Sequence, residues 1–338
     1  MAIADKSVSP KDGHNYYIDF FRFIVMIWIV LFHYTVQYNV IVPDNGISFP
    51  WTFDNGGTVG VSLFFMVSGF FMTKALMSNE YGLREYGRFL VRRYLRLWVP
   101  YVFACIIIFS WLFILPVEGR TVKFATLLAN IACIIHPGFD RVDNAHWFLE
   151  DLFIVQFLLG LVILFCVKKH RSLIIGIVFT IVMIAQIITP PVLSGLSKEL
   201  FEVLLGVHLF LAAKEQKPVA IILTIIGLIV GAYLSVEFLI GALLFLLLLF
   251  LGEKYPPPST SYKLRNIMQF TGSISFYWYL IHQNIGYSVL YYVLPKGTTC
   301  EFWVLVPMLI TLLISLPILT IDKRLSKLLS ERIIFLKK

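Results

Sequence analysis

Long apolar stretches recur along this 338-residue chain, and they restrict its fold more than any other feature. The first is IDFFRFIVMIWIVLFHYTVQYNV, and nine more follow at about 57–77, 97–115, 147–167, 172–190, 198–213, 218–236, 237–251, 267–292 and 302–321. Each is near the length that an α-helix needs to cross about 30 Å of hydrocarbon. With 59% hydrophobic and 14% charged residues, the composition agrees. We therefore predict an all-α, polytopic membrane bundle of about ten transmembrane helices.

The distribution of Lys and Arg predicts the orientation of these spans. A further apolar run at 122–135 has about fourteen residues, which is short for a span, so we interpret it as an interfacial or re-entrant helix. With both termini cytoplasmic, 23 of the 28 basic residues then lie inside, and the five outside are Arg120, Lys123, Arg141, Lys198 and Lys296. This distribution explains the net charge of +8 without a nucleic-acid partner.

The chain reads as a single membrane domain over residues 1–338. Residues 1–16 form a cytoplasmic N-terminal segment and residues 322–338 a cytoplasmic tail, and we expect no extra soluble domain. The sequence contains no G-x-S-x-G elbow, no H-E-x-x-H motif and no Cys/His zinc spacing. We expect no metal site, and any chemistry has to be done by the helices and their loops.

The first apolar run carries three ionisable residues, Asp19, Arg22 and His33, which are costly inside a membrane. At 100° per residue, the eleven steps from Arg22 to His33 place both side chains within about 20° of one helix face, about 16 Å apart along the axis. Asp19 lies one turn before Arg22 on the same stripe. Arg22 alone is compatible with a snorkelling anchor, and His33 alone with a packed core histidine. Together they indicate a functional site.

The Arg22 and His33 pair, separated by ten residues and preceded by Asp19 in IDFFR, resembles the first-helix signature of the acyltransferase type 3 family. That family consists of ten-helix bacterial membrane proteins that move acyl groups, usually acetyl, onto surface carbohydrates. The resemblance implies a multi-pass protein of a bacterial inner or plasma membrane. It extends over the first, second, third, fourth and ninth helices and is weakest through 168–265.

Five arginines occupy the thirteen residues from Arg84 to Arg96, where the third helix enters the membrane. Some of them are explained by a solvated, positive-inside face. Arg93 and Arg96 are three apart and share a face, and guanidinium groups bind phosphate bidentately while keeping their charge. The Arg-x-x-Arg arrangement followed by Pro100 resembles the family's third-helix motif. It implies that Arg93 and Arg96, with Arg92 beside them, bind the phosphates of acyl-coenzyme A.

The second and fourth helices add candidates on each side of the membrane. The small residues of GGTVGVSLFFMVSGFFM favour close helix packing, and FFMVSGFFM resembles the family's second-helix signature, which makes Ser68 a candidate neighbour of the substrate channel. In NAHWFLEDLFIVQF, His146 and Glu150 are four apart on one face, and HWFL resembles a family pattern at the outer end. His146, Trp147 and Glu150 are therefore candidates for acceptor binding. A solvated helix terminus with acidic residues is the alternative interpretation.

Polar residues in the sixth and ninth helices are weaker candidates. Glu202 lies within an apolar run and needs a partner or a watery cavity, whereas His208 is interpreted as structural. In ISFYWYLIHQNIG, the sequence YLIH resembles a family motif, which makes His282 a candidate for substrate binding. Hydrogen bonding of His282, Gln283 and Asn284 between helices is the alternative.

These features favour an integral-membrane O-acyltransferase, with acetyl-coenzyme A or another acyl-coenzyme A as the donor. The expected acceptor is a hydroxyl group of a surface polysaccharide or its lipid-linked precursor. A neutral imidazole at His33 is suited to remove the hydroxyl proton or to carry the acyl group transiently. Arg22 would stabilise donor charge, and Asp19 would orient Arg22.

The rival hypothesis is a membrane transporter or exporter of a glycan or small molecule, in which the same polar residues line a pathway. Transporters often show broken helices and internal symmetry, and this sequence shows neither. The spacing of Arg22 and His33 favours acyl transfer. The sequence leaves open the acyl group, the acceptor sugar, the side on which transfer finishes and the oligomeric state.

Overall fold

Helices, mostly α-helices and without a β-strand, make up the regular structure of the residues described by the computed structural model. Those residues are 14–43, 54–78, 80–136, 138–188, 196–258, 261–293 and 302–332. The α-helices are α1 Tyr16–Phe32, α2 Tyr38–Ile41, α3 Gly56–Leu76, α4 Leu83–Ile114, α5 Phe124–Ala132, α6 Trp147–Phe165, α7 Arg171–Ile188, α8 Leu196–Glu215, α9 Pro218–Leu234, α10 Val236–Lys254, α11 Tyr262–Val293 and α12 Leu305–Arg332. The prediction of an all-α protein is confirmed over this part of the chain.

Seven helical stretches of the described residues are long and apolar enough to cross a membrane, and each coincides with a predicted span. They are Tyr16–Ile41, Gly56–Leu76, Leu83–Ile114, Asn144–Phe165, Lys168–Ile188, Val236–Lys254 and Leu305–Leu325. The chain is therefore a multi-pass membrane protein. The other three predicted spans are also helices, but α8 carries three charged residues in its first two turns, α9 has 17 residues, and α11 has a polar centre. The count of about ten spans and the orientation of the termini stay predictions.

Two segments that were not predicted as spans, the apolar run at 122–135 and the tail from residue 322, are both helical. The apolar run at 122–135 forms α5, whose nine residues extend about 14 Å and cannot cross the membrane. The tail predicted to begin at residue 322 is helical as far as Arg332, because α12 continues through it. Most of the predicted N-terminal segment 1–16 lies outside the described residues.

α1 packs against α3, α10 and α11, and one face of it is buried in the bundle. Asn15 caps its first turn by accepting hydrogen bonds from the N–H groups of Tyr17 and Ile18 at 3.1 and 3.4 Å. By contrast, α7, α9 and α10 leave large apolar side chains exposed; Ile181 and Ile229 are 61% and 64% exposed. In a membrane protein such faces meet the lipid.

Glycines bring α3 and α8 into backbone contact. A Cβ atom at Gly69 would collide with the carbonyl group of Val203, and a Cβ atom at Gly206 would collide with the carbonyl group of Met66. The prediction that small residues of the second span serve close packing is confirmed at Gly69. This contact holds the charged first turns of α8 beside the α1 and α3 pair.

A π-helix from His33 to Gln37 interrupts the first span. The N–H group of Tyr38 donates to the carbonyl oxygen of His33, which is the five-residue step of a π-helix. Single π turns inside α-helices occur frequently at functional sites. His33, which the sequence analysis identified as a candidate, therefore lies at the irregular turn of this span.

Candidate active site

Two cavities lie along α1, and the described residues that line them include most of the predicted site. The larger, about 380 Å³, is here called the arginine chamber because Arg22, Arg93 and Arg96 line it. The smaller, about 290 Å³, is here called the histidine chamber because His33 lines it. Among the described residues, Tyr279 of α11 alone lines both.

The arginine chamber brings together residues that the sequence separates by more than seventy positions. Arg22 Nη1 lies 3.8 Å from Asp19 Oδ1, one turn earlier on α1. The other oxygen of Asp19 lies 2.7 Å from His14 Nε2, and the His14 side chain is 31% exposed, so the chamber opens near the start of α1. Arg93 and Arg96 face it from α4. Three guanidinium groups against one carboxylate make this a site for an anion with several charges.

α4 places only part of its arginine cluster in the chamber. Arg93 and Arg96 are one turn apart and share a face, as the sequence predicted, and the Arg93 guanidinium also lies 5.4 Å from the ring centre of Phe89. Arg92 is exposed and is not among the lining residues of either chamber. Ser68 of α3 lines the arginine chamber.

In the histidine chamber, His33 is held through its Nδ1 atom by two residues of α11. Nδ1 lies 3.0 Å from the Tyr287 hydroxyl oxygen and 3.0 Å from Gln283 Nε2. Gln283 Oε1 accepts the N–H group of Ala145 at 3.0 Å, so its amide nitrogen is the atom that faces the imidazole. This network assigns Nδ1 as an acceptor and the proton of the neutral ring to Nε2.

His282 lies behind His33, with the two ring centres 4.9 Å apart. Its Nδ1 donates to the carbonyl oxygen of Tyr279 at 2.7 Å, which leaves Nε2 as an acceptor without a partner among the described residues. The ring is buried and does not line either chamber. Among the residues of the predicted site, it therefore contacts His33 and lies outside the space of both chambers.

Besides His33, the histidine chamber is lined by charged residues of α8 and by residues at the start of α6 or just before it. Lys198, Glu199 and Glu202 come from the first two turns of α8, and both carboxyl groups are buried. Trp147 is the first residue of α6, and Asn144 lies in the 3₁₀ turn that precedes it. Of the three candidates for acceptor binding, His146, Trp147 and Glu150, the structure places Trp147 in a chamber.

The other two acceptor candidates have partners of their own in the protein. His146 is buried and its Nε2 donates to the carbonyl oxygen of Leu280 at 2.8 Å. Glu150 accepts two hydrogen bonds from Arg141, at 2.6 and 2.9 Å, and these bonds raise the pKa of the Arg141 guanidinium above its ordinary value. Neither residue lines a chamber. Both hold the start of α6 in place.

Tyr279 forms the wall between the two chambers. Its hydroxyl group donates a short hydrogen bond to the carbonyl oxygen of Ala145, which lines the histidine chamber. Its ring packs edge-to-face on Phe148, which lines the arginine chamber, at 5.4 Å between ring centres. The side chain is 3% exposed and fixed at both ends.

Tyr279, Gln283 and Tyr287 were missed as site residues from the sequence, although their spacing offers a signal. They are four residues apart along α11, which puts three polar side chains on one face of a buried helix. Glu199 also was missed, because three charged residues at the start of a helix resemble a solvated end. Within the described residues, no group of three or more His, Cys, Asp or Glu side chains is placed to hold a metal ion.

A family model described as an acyltransferase domain matches residues 15–321 of the chain. That range contains every residue named above in the two chambers except His14. No curated protein and no solved structure matches the chain.

Proposed function

This chain belongs to the acyltransferase type 3 family of membrane acyltransferases, and we propose that it transfers an acetyl group from acetyl-coenzyme A to a hydroxyl group of a surface polysaccharide or its lipid-linked precursor. The enzyme class follows from the family. The single observation that carries the proposal is the pair of chambers that meet at Tyr279, one with an anion site and the other with an imidazole.

The arginine chamber supports an acyl-coenzyme A donor. The coenzyme is polyanionic through its phosphates, and Arg22, Arg93 and Arg96 offer three charged groups suited to bidentate phosphate binding. Asp19 orients Arg22 from one turn away. In this proposal the phosphates lie at the open end near His14, and the thioester reaches inward to Tyr279.

His33 is the proposed catalytic residue. The acceptor hydroxyl oxygen attacks the thioester carbonyl carbon, the carbon–sulfur bond breaks, and the hydroxyl proton passes to His33 and then to the coenzyme thiolate. Alternatively, His33 first accepts the acetyl group from sulfur and then passes it to the hydroxyl group. Both routes need a free lone pair on the nitrogen that faces the substrates. The proton of the neutral imidazole would have to move from Nε2 to Nδ1. There the Nδ1–H group is able to donate a hydrogen bond to the Tyr287 hydroxyl oxygen.

Two further features support the details of the proposal. A histidine chamber of about 290 Å³ has to admit the acceptor hydroxyl group together with the acyl carbon, which favours a short acyl group. The excess of Lys and Arg on one side of the predicted topology supports the proposal that both termini, and the arginine chamber, face the cytoplasm of a bacterial cell. Coenzyme A thioesters are made on that side.

Transfer of labelled acetyl groups tests the function. Purified protein in liposomes is expected to move label from acetyl-coenzyme A to polysaccharide taken from cells that lack the gene, and mass spectrometry of polysaccharide from cells with and without the gene should show the loss of acetyl groups. Protein that is folded, binds acetyl-coenzyme A and transfers no label would contradict the proposal. Movement of glycan across the liposome without acylation would favour the transporter hypothesis.

A conservative change tests the donor site. Replacing both Arg93 and Arg96 by Lys keeps the charges but removes the bidentate geometry, and each lost charge-assisted hydrogen bond is worth about 1.5–3 kcal/mol. The KM for acetyl-coenzyme A is expected to rise about tenfold or more, with an unchanged amount of protein in the membrane. Arg88→Lys, on the same helix but outside the chamber, is the matched control.

A further inference from the structure

Two buried carboxyl groups in the histidine chamber have no role in the mechanism above. Glu199 and Glu202 are 4% and 3% exposed and belong to the first two turns of α8. They face the same cavity as His33 and Trp147. Acidic side chains are rarely buried without partners, so these two require an explanation.

Their partners within the protein are incomplete. Glu202 has Lys198 Nζ at 3.9 Å from its Oε1 atom and a hydrogen bond with the Ser62 hydroxyl group. Glu199 Oε2 is buried and has no hydrogen-bond partner among the residues that the structure describes. A carboxyl oxygen that lines a cavity and lacks a donor is suited to a ligand that brings one.

We propose that Glu199 and Glu202 are the acceptor-binding residues of this enzyme, holding neighbouring hydroxyl groups of a sugar ring beside Trp147. The inference rests on the proposed function and adds to it the residues that bind the acceptor. Carboxylate oxygens accept hydrogen bonds from hydroxyl groups, and the Trp147 indole offers an apolar surface to the ring face. A site built to hydrogen-bond hydroxyl groups discriminates strongly against ligands that lack them.

The donor and the acceptor then bind in separate chambers. The three guanidinium groups of the arginine chamber attract the anionic donor, while the carboxyl groups of the histidine chamber bind hydroxyl groups.

Binding of two small ring compounds to the purified full-length protein tests the inference without using catalysis. Saturation-transfer NMR detects weak binding, and the probes are methyl glucoside and 2-methoxytetrahydropyran, which has the same ring without the other hydroxyl groups. The glucoside is expected to bind and the 2-methoxytetrahydropyran not. Replacing both Glu199 and Glu202 by Leu should weaken glucoside binding about tenfold or more, because the oxygens that accept the hydroxyl groups are lost.

The control is Glu215→Gln, at the other end of the same helix, where the carboxylate is paired with Lys217 at 2.7 Å. It should bind the glucoside as the unchanged protein does. Equal binding of the glucoside and the 2-methoxytetrahydropyran, no binding of the glucoside, or a double variant with unchanged glucoside binding would overturn the inference. A protein that binds the glucoside and transfers no acetyl group would instead contradict the proposed function.

Discussion

His33 meets Gln283 and Tyr287 at the same ring nitrogen, each at 3.0 Å. Ala145 fixes the orientation of the Gln283 amide group, so an amide donor rather than an acceptor faces the imidazole. The resting tautomer is therefore set by residues outside α1. A role for His33 as a base requires the opposite tautomer, whereas a role as a donor to the carbonyl oxygen would use the resting one.

His33→Ala is expected to abolish acetyl transfer while acetyl-coenzyme A still binds. Assistance by a general acid or base is worth about 10²–10⁴ in rate, and the arginine chamber is unchanged by the substitution. Transfer from labelled acetyl-coenzyme A and donor binding are measured together, both normalised to folded protein. An active His33→Ala enzyme would remove His33 from the mechanism, and Arg22→Ala should lose donor binding as well.

Gln283→Glu separates the base from the donor role of His33. A glutamate of the same shape is able to accept the N–H group of Ala145 with one oxygen and an Nδ1–H of His33 with the other, which frees Nε2 as a base. If His33 is the base or the acyl carrier, the variant should keep or raise the rate of transfer, and Gln283→Leu should lower it. Loss of transfer in Gln283→Glu with normal donor binding would show that His33 acts through its Nε2–H group.

Sequence reasoning reached Asp19, Arg22 and His33 on the first span and missed Gln283 and Tyr287, the neutral partners of His33, for a physical reason. A charge in a membrane helix is costly wherever it lies, so Arg22 and His33 stand out in the sequence alone. A glutamine or tyrosine is much less costly, and only its position against another helix gives it a role. Gln283 acquires its role from a residue 250 positions earlier in the chain.

At the scale of the elements, the length of an apolar run predicts where a helix lies. It does not predict where that helix is interrupted or where it crosses another helix. The spans were recognisable because each is a run of apolar residues. The π-helix at His33–Gln37 has no pattern of its own in the sequence. The crossing of α3 and α8 needs Gly69 and Gly206 at the same height in the bundle, which depends on the tertiary structure.

Gly206→Ala is expected to destabilise the protein, because the added methyl group would collide with the Met66 carbonyl group, which cannot rotate away. Overpacking of this kind typically costs about 1–3 kcal/mol. The measurement is the melting temperature in detergent. Gly82→Ala serves as the control, since the nearest atom to its Cβ would be the flexible Glu85 Oε2 at 3.5 Å. Equal melting temperatures for both variants would contradict the contact.

At the scale of the whole molecule, each chamber is built from helices that are distant in the sequence. The arginine chamber uses α1, α3, α4, α6 and α11, and the histidine chamber exchanges α4 for α8. Sequence analysis placed their functional residues on separate spans but gave no means to group them. That grouping depends on the order of the helices in the bundle.

Cysteine labelling tests the predicted orientation. In a protein with its four native cysteines replaced by Ser, Ser78→Cys precedes α4 and Glu118→Cys follows it. An impermeant maleimide added to intact cells should label Glu118→Cys alone, and both variants should be labelled after lysis. Labelling of Ser78→Cys in intact cells would reverse the topology and place the arginine chamber on the outer side.

The Tyr279 wall also bears on the permeability of the membrane. Polar cavities that approach each other along α1 would form a water-filled pore if they joined, and protons and small ions would then leak through it. Tyr279, fixed by Ala145 and Phe148, lines both cavities and stands between them. Under the proposed function, each acyl group would cross the bilayer without a continuous column of water behind it, and the cell would keep its ion gradients.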